Sequence, residues 1–230
     1  DLIPLSGSKA IMACVICLSP LMFGFIIPAT QLLFWAVFEA EPLGWDFVGL
    51  AWNSFSLAFL AAIIAVILAI ILSYAKRTKP IKPVRIVLAM AGFGYALPGT
   101  IIAIGVLIPL AWLDHRLIDI FGSWGWDSPG LLLSGSLVAL LFAYTVRFLA
   151  VAIGSVQSGL EKVKPSLDQA GRSMGHSPLD ILRKIHVPLM RSSILTAVLI
   201  VFVDVLKELP ATLILRPFNF NTMAVRAYEL

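Results

Sequence analysis

Three ionisable residues sit inside an apolar run near the end of the chain: Asp204, Lys207 and Glu208. Spacings of three and four place them on one side of a helix, where Lys207 can pair with either acid. Charge inside a membrane-crossing segment is costly, so such groups face a bundle interior or a wet cavity. They can line a translocation path, gate it, or form a buried ion-pair network that orients the helix; the residues alone leave these open. Pro210 follows and must break the helix, leaving unwound backbone at depth. Arg147 lies toward the inner end of an earlier apolar run. It reads as a side chain snorkelling to the interface, with a pair to an acid of a neighbouring span as the alternative. Pro98, among Gly92, Gly94 and Gly99, interrupts a third run. Its glycines permit close helix packing, and discontinuous helices also border transporter pathways.

Other chemistry is not indicated. Cys14 and Cys17 have C-x-x-C spacing, but they lie in an apolar helix and read as small buried hydrophobes. His115, His176 and His186 fall in separate loops, so no cluster meets the ligand count of a metal site. There is no phosphate-binding Gly-rich loop ending in Lys and a hydroxyl residue, and the chain is expected to bind no ATP and no other cofactor. No nucleophile–base pair points to hydrolysis. Nothing suggests a nucleic-acid partner.

The longest hydrophilic interruption is LDQAGRSMGHSPLDILRKIHVP, Leu167 to Pro188. Pro165 and Ser166 open a short helix. Leu167, Ala170, Gly171 and Met174 fall at i, i+3, i+4 and i+7 and share a face. Gly175 supplies a residue able to take the left-handed conformation that closes a helix. Ser177 then N-caps a second helix, with Pro178 at its first position and Asp180 reaching back as in a capping box. That helix presents Leu179, Leu182 and Ile185 until Pro188 stops it. A helix-turn-helix with an apolar face, carried on a basic loop, needs a partner groove.

This stretch resembles the signature loop of ABC-importer permeases: Glu-Ala-Ala, three residues, Gly, nine residues, then Ile-x-Leu-Pro. Here it reads Gln169-Ala170-Gly171, Arg172-Ser173-Met174, Gly175, nine residues, Ile185-His186-Val187-Pro188. Gln169 replaces the Glu, and Asp168 stands beside it. The resemblance implies a coupling helix that docks into a cytoplasmic ABC ATPase dimer, which uses the ATP. It assigns Leu167, Gln169, Ala170, Gly171, Met174, Gly175, Ile185 and Pro188 to coupling. A second stretch, Lys207-Glu208-Leu209-Pro210-Ala211-Thr212 with Arg216-Pro217-Phe218-Asn219-Phe220, is similar to the ferric-iron subgroup. Tyr95-Ala96-Leu97-Pro98-Gly99 and Tyr144 to Ala150 fit the same subgroup. The resemblance implies ferric iron delivered by a periplasmic binding protein, and a second permease half or subunit. This chain then corresponds to a C-terminal half. Thiamine, sulfate or phosphonate remain alternative solutes on that scaffold. Two other classes stay open from the residues: an ion-gradient-driven transporter or channel using Asp204, Lys207 and Glu208, and a non-transporting membrane scaffold.

The elements that must position these residues are membrane helices. The chain has 230 residues, 60% of them hydrophobic and only 13% charged, against about 25% charged in soluble domains. It begins without a Met, a basic leader or a cleavage site, and reads as a piece of a longer protein. Five spans are expected, at about 9–38, 47–75, 84–112, 130–153 and 192–215, with a final span missing. Pro20 and Pro28 should kink the first. Loop 154–191 carries the motif and 113–129 is a polar loop with Asp114, His115, Arg116, Asp119 and Asp127. The whole of 1–230 forms one all-α polytopic bundle of the type I ABC-importer permease kind. Most of the 17 Lys and Arg fall on one side with Lys76–Arg85 and the motif loop; Glu39, Glu41, Asp46 and all six Trp fall on the other. Positive residues stay inside and Trp favours the interface. The N-terminus is therefore expected in the cytoplasm of a bacterial cell, with the chain in its inner membrane.

Overall fold

The structure, a computed structural model, describes residues 6–38, 45–125 and 130–229. Glu39, Glu41, Trp126 and Asp127 lie outside the described residues, as do the side chains of Trp45 and Asp46. Among the described residues every regular element is helical. The chain divides into two compact units, Asp1–Trp45 and Asp46–Leu230.

The described part of the first unit is an apolar helical stretch, Ser8–Phe38. Helix α1 (Ser8–Leu21) passes through a π turn (Met22–Ile26) into α2 (Ile27–Phe38). The disturbance expected from Pro20 and Pro28 thus takes the form of a wider turn, because Pro28 has no N–H to return to the carbonyl of Gly24. None of its residues is buried. Cys14 and Cys17 are exposed on it, which corrects the expectation that they are buried.

The second unit is built around α6 (Leu137–Glu161). Around it stand α3 (Trp45–Thr78), α4 (Lys82–Phe93) and α5 (Gly99–Ser123). A helical hairpin follows: α7 (Pro165–Ser173), α8 (Pro178–Ile181) and α9 (Val187–Leu189). Helices α10 (Arg191–Leu206), α11 (Pro210–Leu215) and α12 (Met223–Glu229) complete the chain. Helix α6 packs on α4, α5, α10 and α11. Its contact positions are small: Ala139, Ala143 and Ala152 are fully buried, facing a core that includes Ala58, Ala62, Ala65 and Ala69 of α3 and Ala197 of α10. In a bilayer, helices associate through close packing rather than through water exclusion, and small residues allow it. Large apolar side chains such as Leu195, Leu199, Ile67 and Ile104 stay on the outside.

Among the described residues, four helical stretches are long and apolar enough to cross a membrane: Ser8–Phe38, Phe47–Thr78, Gly99–Ser123 and Leu137–Glu161. A fifth is reached if Pro178–Leu189 and Arg191–Leu206, bent by 77°, count as one. The expected boundaries shift in three places. The span expected at 84–112 is split: α4 ends in a 3-10 turn (Gly94–Ala96), the chain is extended at Leu97 and Pro98, and α5 starts at Gly99. The loop expected from 113 is helical to Ser123, so Asp114, His115, Arg116 and Asp119 lie on α5. Asp114 is buried and accepts hydrogen bonds from the backbone N–H groups of Leu132, Leu133 and Ser134 and from the Ser134 hydroxyl. A carboxylate so fully satisfied need not sit in a loop. The fourth helix starts at Leu137 rather than 130, where the Ser136 side chain caps it, and runs to Glu161. The fifth stretch, expected over 192–215 with a break at Pro210, is interrupted as expected, at Lys207–Leu209. Pro210 explains the place: it cannot donate to Leu206, and it starts α11 as a first-turn proline.

Candidate functional site

The hairpin Pro165–Leu189 is preformed by local chemistry. Helix α7 ends with Gly175 at φ 78°, where the His176 N–H reaches the Gly171 carbonyl (3.1 Å) and the Gly175 N–H the Arg172 carbonyl (3.0 Å). This is a Schellman closure, and it needs a residue without Cβ strain. The Ser177 hydroxyl accepts from the Asp180 N–H, while the Asp180 carboxylate accepts from the Ser177 N–H. The capping box is therefore formed as expected. Pro188 does not stop the second arm. A π turn (Leu182–His186) absorbs its missing N–H, and the chain runs on to Leu189 before turning at Met190.

The two arms cross at Gly171. A Cβ there would lie 2.9 Å from Ile181 Cγ1 and 3.6 Å from Ile185 Cδ1. Gly171 and Ile185 thus face inward at the crossing and hold the hairpin together. Leu167, Ala170, Met174 and Leu179 are exposed, Met174 at 72%, and Gln169, Gly175 and Pro188 are exposed with them.

One carboxylate fastens the hairpin to α3. Asp168 accepts from Arg77 Nε (2.9 Å) and pairs with Nη2 (2.8 Å), and it meets His186 Nε2 at 2.5 Å. Arg77 also donates to the carbonyls of Leu160 (2.6 Å) and Val163 (2.7 Å), and the Tyr74 hydroxyl donates to the Pro178 carbonyl (2.8 Å). His186 is fully buried beside the Tyr74 ring. Burial pushes the Asp168 carboxyl up. The hydrogen bonds from His186 and Arg77, with their charges, outweigh that and hold it below the usual carboxylate range.

A second cluster lies where two helix breaks meet α6. Arg147 pairs with Glu208 (3.1 Å) and donates to the Leu97 carbonyl (3.0 Å). Glu208 in turn accepts from the Ala211 N–H (3.3 Å), and its carbonyl accepts from the Thr212 hydroxyl. Tyr144 meets that hydroxyl at 2.5 Å. The expected snorkelling of Arg147 is therefore corrected to a pair with an acid of a neighbouring helix. Lys207 pairs with Asp204 alone (2.8 Å), because Glu208 is turned away to Arg147. Gly94 and Gly99 are required here. A Cβ on Gly94 would strike the Val146 carbonyl, and one on Gly99 would strike the Glu208 carboxylate and lie 2.9 Å from Arg147 Nη1. Gly99→Ala should therefore displace the Glu208 carboxylate and lower the midpoint of thermal unfolding in detergent by several degrees, a cost of about 1–3 kcal/mol. An unchanged midpoint would show that the pair has room to move.

The sequence model of the family described as "binding-protein-dependent transport system inner membrane component" matches residues 75–229. The chain belongs to that family. It is an ABC-importer permease, an integral protein of the inner membrane. Among its relatives is an Fe(3+)-transport system permease protein, FbpB 2 of Haemophilus influenzae, 24% identical over 153 residues, 57% of this chain and 30% of the relative. Another is PhnV of Salmonella typhimurium, whose name assigns it to a 2-aminoethylphosphonate transport system. It is 22% identical over 186 residues, 79% of this chain and 64% of the relative. PhnV of Salmonella choleraesuis matches to the same extent. The chain spans less than two thirds of the length of these curated relatives.

The matched region contains both clusters of the permease except Tyr74, which lies one residue before it. Arg77, Tyr74 and His186 are the site residues that sequence reasoning missed. Arg77 counted only as one of many loop cations, and His186 only as an isolated ring. The single available signal was Asp168, next to the position where the family's Glu is replaced by Gln169. Of the residues expected on a path, Glu208 is held by Arg147, which also bonds the carbonyl just before Pro98, and it accepts from the N–H just after Pro210, while Asp204 and Lys207 form a separate pair.

Proposed function

We propose that this permease couples solute import to ATP hydrolysis in a separate cytoplasmic ABC ATPase dimer, through the exposed face of the 165–189 hairpin. The observation that carries the reading is a stapled hairpin whose apolar residues Leu167, Ala170, Met174 and Leu179 are exposed. A short helix with such a face lies into a groove. Because Asp168 and Tyr74 tie the hairpin to α3, a push on it is delivered to a span rather than absorbed by a loop. The basic side, with the N-terminus and the hairpin, faces the cytoplasm. A second permease half or subunit completes the path, a periplasmic binding protein delivers the cargo, and the chain itself holds no cofactor. The Haemophilus relative and the Lys-Glu-Leu-Pro-Ala-Thr stretch support ferric iron as cargo; the Salmonella relatives, which align over more of this chain, support an organophosphonate. An ion-gradient mechanism through Asp204, Lys207 and Glu208 is less well supported, since each acid is already held by a cation.

The test is Met174→Asp, a change at a position too exposed to unsettle the fold. Membranes are solubilised gently, the permease is pulled down, and ATPase activity of the eluate is assayed. The native chain should bring down activity and the variant roughly tenfold less or lower, as for a hot-spot side chain. Equal activity from both would remove the hairpin from the coupling path. Gly175 is a poorer probe, because any side chain at its positive φ disturbs the helix end as well as the surface.

A further inference from the structure

The middle of α6 is where two interrupted helices meet, and their shared surface carries polar groups that the chain itself does not saturate. Arg147 is about 15 Å from one end of α6 and about 21 Å from the other at 1.5 Å per residue. Its surroundings therefore lie near the middle of a span. Tyr95, on the α4–α5 break, is 52% exposed, and the Lys207 side chain, on the α10–α11 break, is 70% exposed. The Tyr95 ring packs 6.4 Å from that of Phe148, beside Arg147, whose partner Glu208 is the neighbour of Lys207. Asp204 takes one of the three N–H donors of Lys207. The other two have no partner among the described residues. A charge this exposed at mid-span does not face acyl chains; it faces water or protein.

The same face of α10 leads away from Lys207. Ser192, Thr196 and Lys207 are separated by 4 and 11 residues, which keeps them within an arc of roughly 60° at about 100° per residue. Ser192 and Thr196 line a cleft of about 300 Å³ with Ser155, Ser158, Ser193 and Lys162. Ser158 and Thr196 spend their hydroxyl protons on their own helices. Ser155, Ser192, Ser193 and Lys162 keep donors available among the described residues. Among the described residues no carboxylate lines the cleft, and Asp204 and Glu208 are neutralised by Lys207 and Arg147. A bare metal cation on this face would meet ammonium groups and no free acid.

We propose that Lys207 and Tyr95 form the mid-span contact for an anionic cargo, a small oxyanion or a metal ion enclosed in an anionic chelate, which then passes to the Lys162 cleft. This rests on the importer reading given above. Lys207 exchanges Asp204 for the anion without losing its charge, and Tyr95 adds a hydroxyl donor.

Two measurements on the whole transporter test it. The first is thiol labelling of Lys207→Cys, with Cys14 and Cys17 replaced by Ser, using a charged membrane-impermeant reagent. The site should be modified, and cargo should protect it. No modification would place Lys207 against lipid or protein and overturn the proposal. The second is ATP-driven uptake into proteoliposomes of labelled 2-aminoethylphosphonate, labelled ferric citrate and unchelated iron. The KM for the cargo that is carried should rise roughly tenfold or more in Lys207→Gln, as expected for the loss of a charge-assisted hydrogen bond. Lys207→Arg should stay within about threefold, since it keeps the charge. Phosphonate uptake affected in this way identifies the oxyanion, and ferric citrate uptake the chelate. Unchelated iron carried equally by native and variant transporters overturns the proposal. Native uptake with an unaltered KM in Lys207→Gln overturns the site alone, whereas native uptake indifferent to ATP overturns the importer reading with it.

Discussion

Asp168→Ala should free the hairpin from α3 and abolish the coupling of ATP hydrolysis to transport, while the membrane helices stay folded. The substitution removes one acceptor but strands two donors. Arg77 loses its only carboxylate among the described residues and His186 loses the partner of its Nε2, in a site where the side chains of Arg77 and Asp168 are only 19% and 15% exposed and His186 is buried. Breaking a pair from one side costs more than the pair is worth, because the remaining charge is left desolvated. A local cost of about 2–4 kcal/mol is expected, between that of a charge-assisted hydrogen bond and that of a fully buried ion pair. Backbone amides of residues 165–189 should exchange with solvent markedly faster, with helix content unchanged by circular dichroism. Protection equal to the native level would mean that the Tyr74 bond to Pro178 and the Gly171 crossing suffice.

The same carboxylate sets a pH dependence with a definite sign. Its folded pKa is depressed: burial works upward, but the bonds from His186 and Arg77 prevail. A depressed carboxyl contributes stability that is complete above its unfolded pKa, near 3.9, and lost as pH falls through the folded value. The Asp168 contribution should thus be constant at and above neutral pH and should fade only below about pH 4. Exchange protection of the hairpin measured across that range checks it, with Asp168→Asn as the comparison that should lack this component.

Glu208→Ala should be as damaging at mid-span. Glu208 is 6% exposed, and its carboxylate is the counter-charge of Arg147. Removing it leaves a guanidinium inside the bundle, and about 3–5 kcal/mol is expected for such an uncompensated charge. It also removes the acceptor of the Ala211 N–H at the start of α11. The prediction is a large fall in thermal midpoint in detergent and loss of transport. Replacing both partners, Arg147→Met with Glu208→Gln, should recover most of the stability, since no charge is then stranded. Recovery of stability without recovery of transport would show that the charge pair also positions the two helix breaks for function. Failure to recover either would mean that Arg147 acts mainly through its bond to the Leu97 carbonyl.

Much of this molecule was legible in its sequence, and the residues explain why. The hairpin is local: Gly175 ends a helix, Ser177-Pro178-Leu179-Asp180 starts another, and each signal acts within four residues of itself. Hydropathy marked the apolar stretches, because a bilayer demands about 20 apolar residues whatever they pack against. Boundaries were less legible. Asp114 reads as a loop residue until its partners at 132–134 are known, and these lie 18 to 20 positions away. Periodicity alone also cannot tell Gly171, which is buried against Ile181, from Ala170, which is exposed.

The sequence by itself determined the class of protein, the position of the hairpin and the approximate places where helices must break at Pro98 and Pro210, because these follow from composition, spacing and the missing N–H of proline. Only the tertiary structure decided which charges meet. Asp168 meets Arg77 across 91 positions and Arg147 meets Glu208 across 61. Lys207 had two acids within reach on its own helix and kept one, because the break at Lys207–Leu209 turned Glu208 toward α6. The energy of a buried ion depends on whether its counter-ion is present in three dimensions, and that is a property of packing rather than of order along the chain.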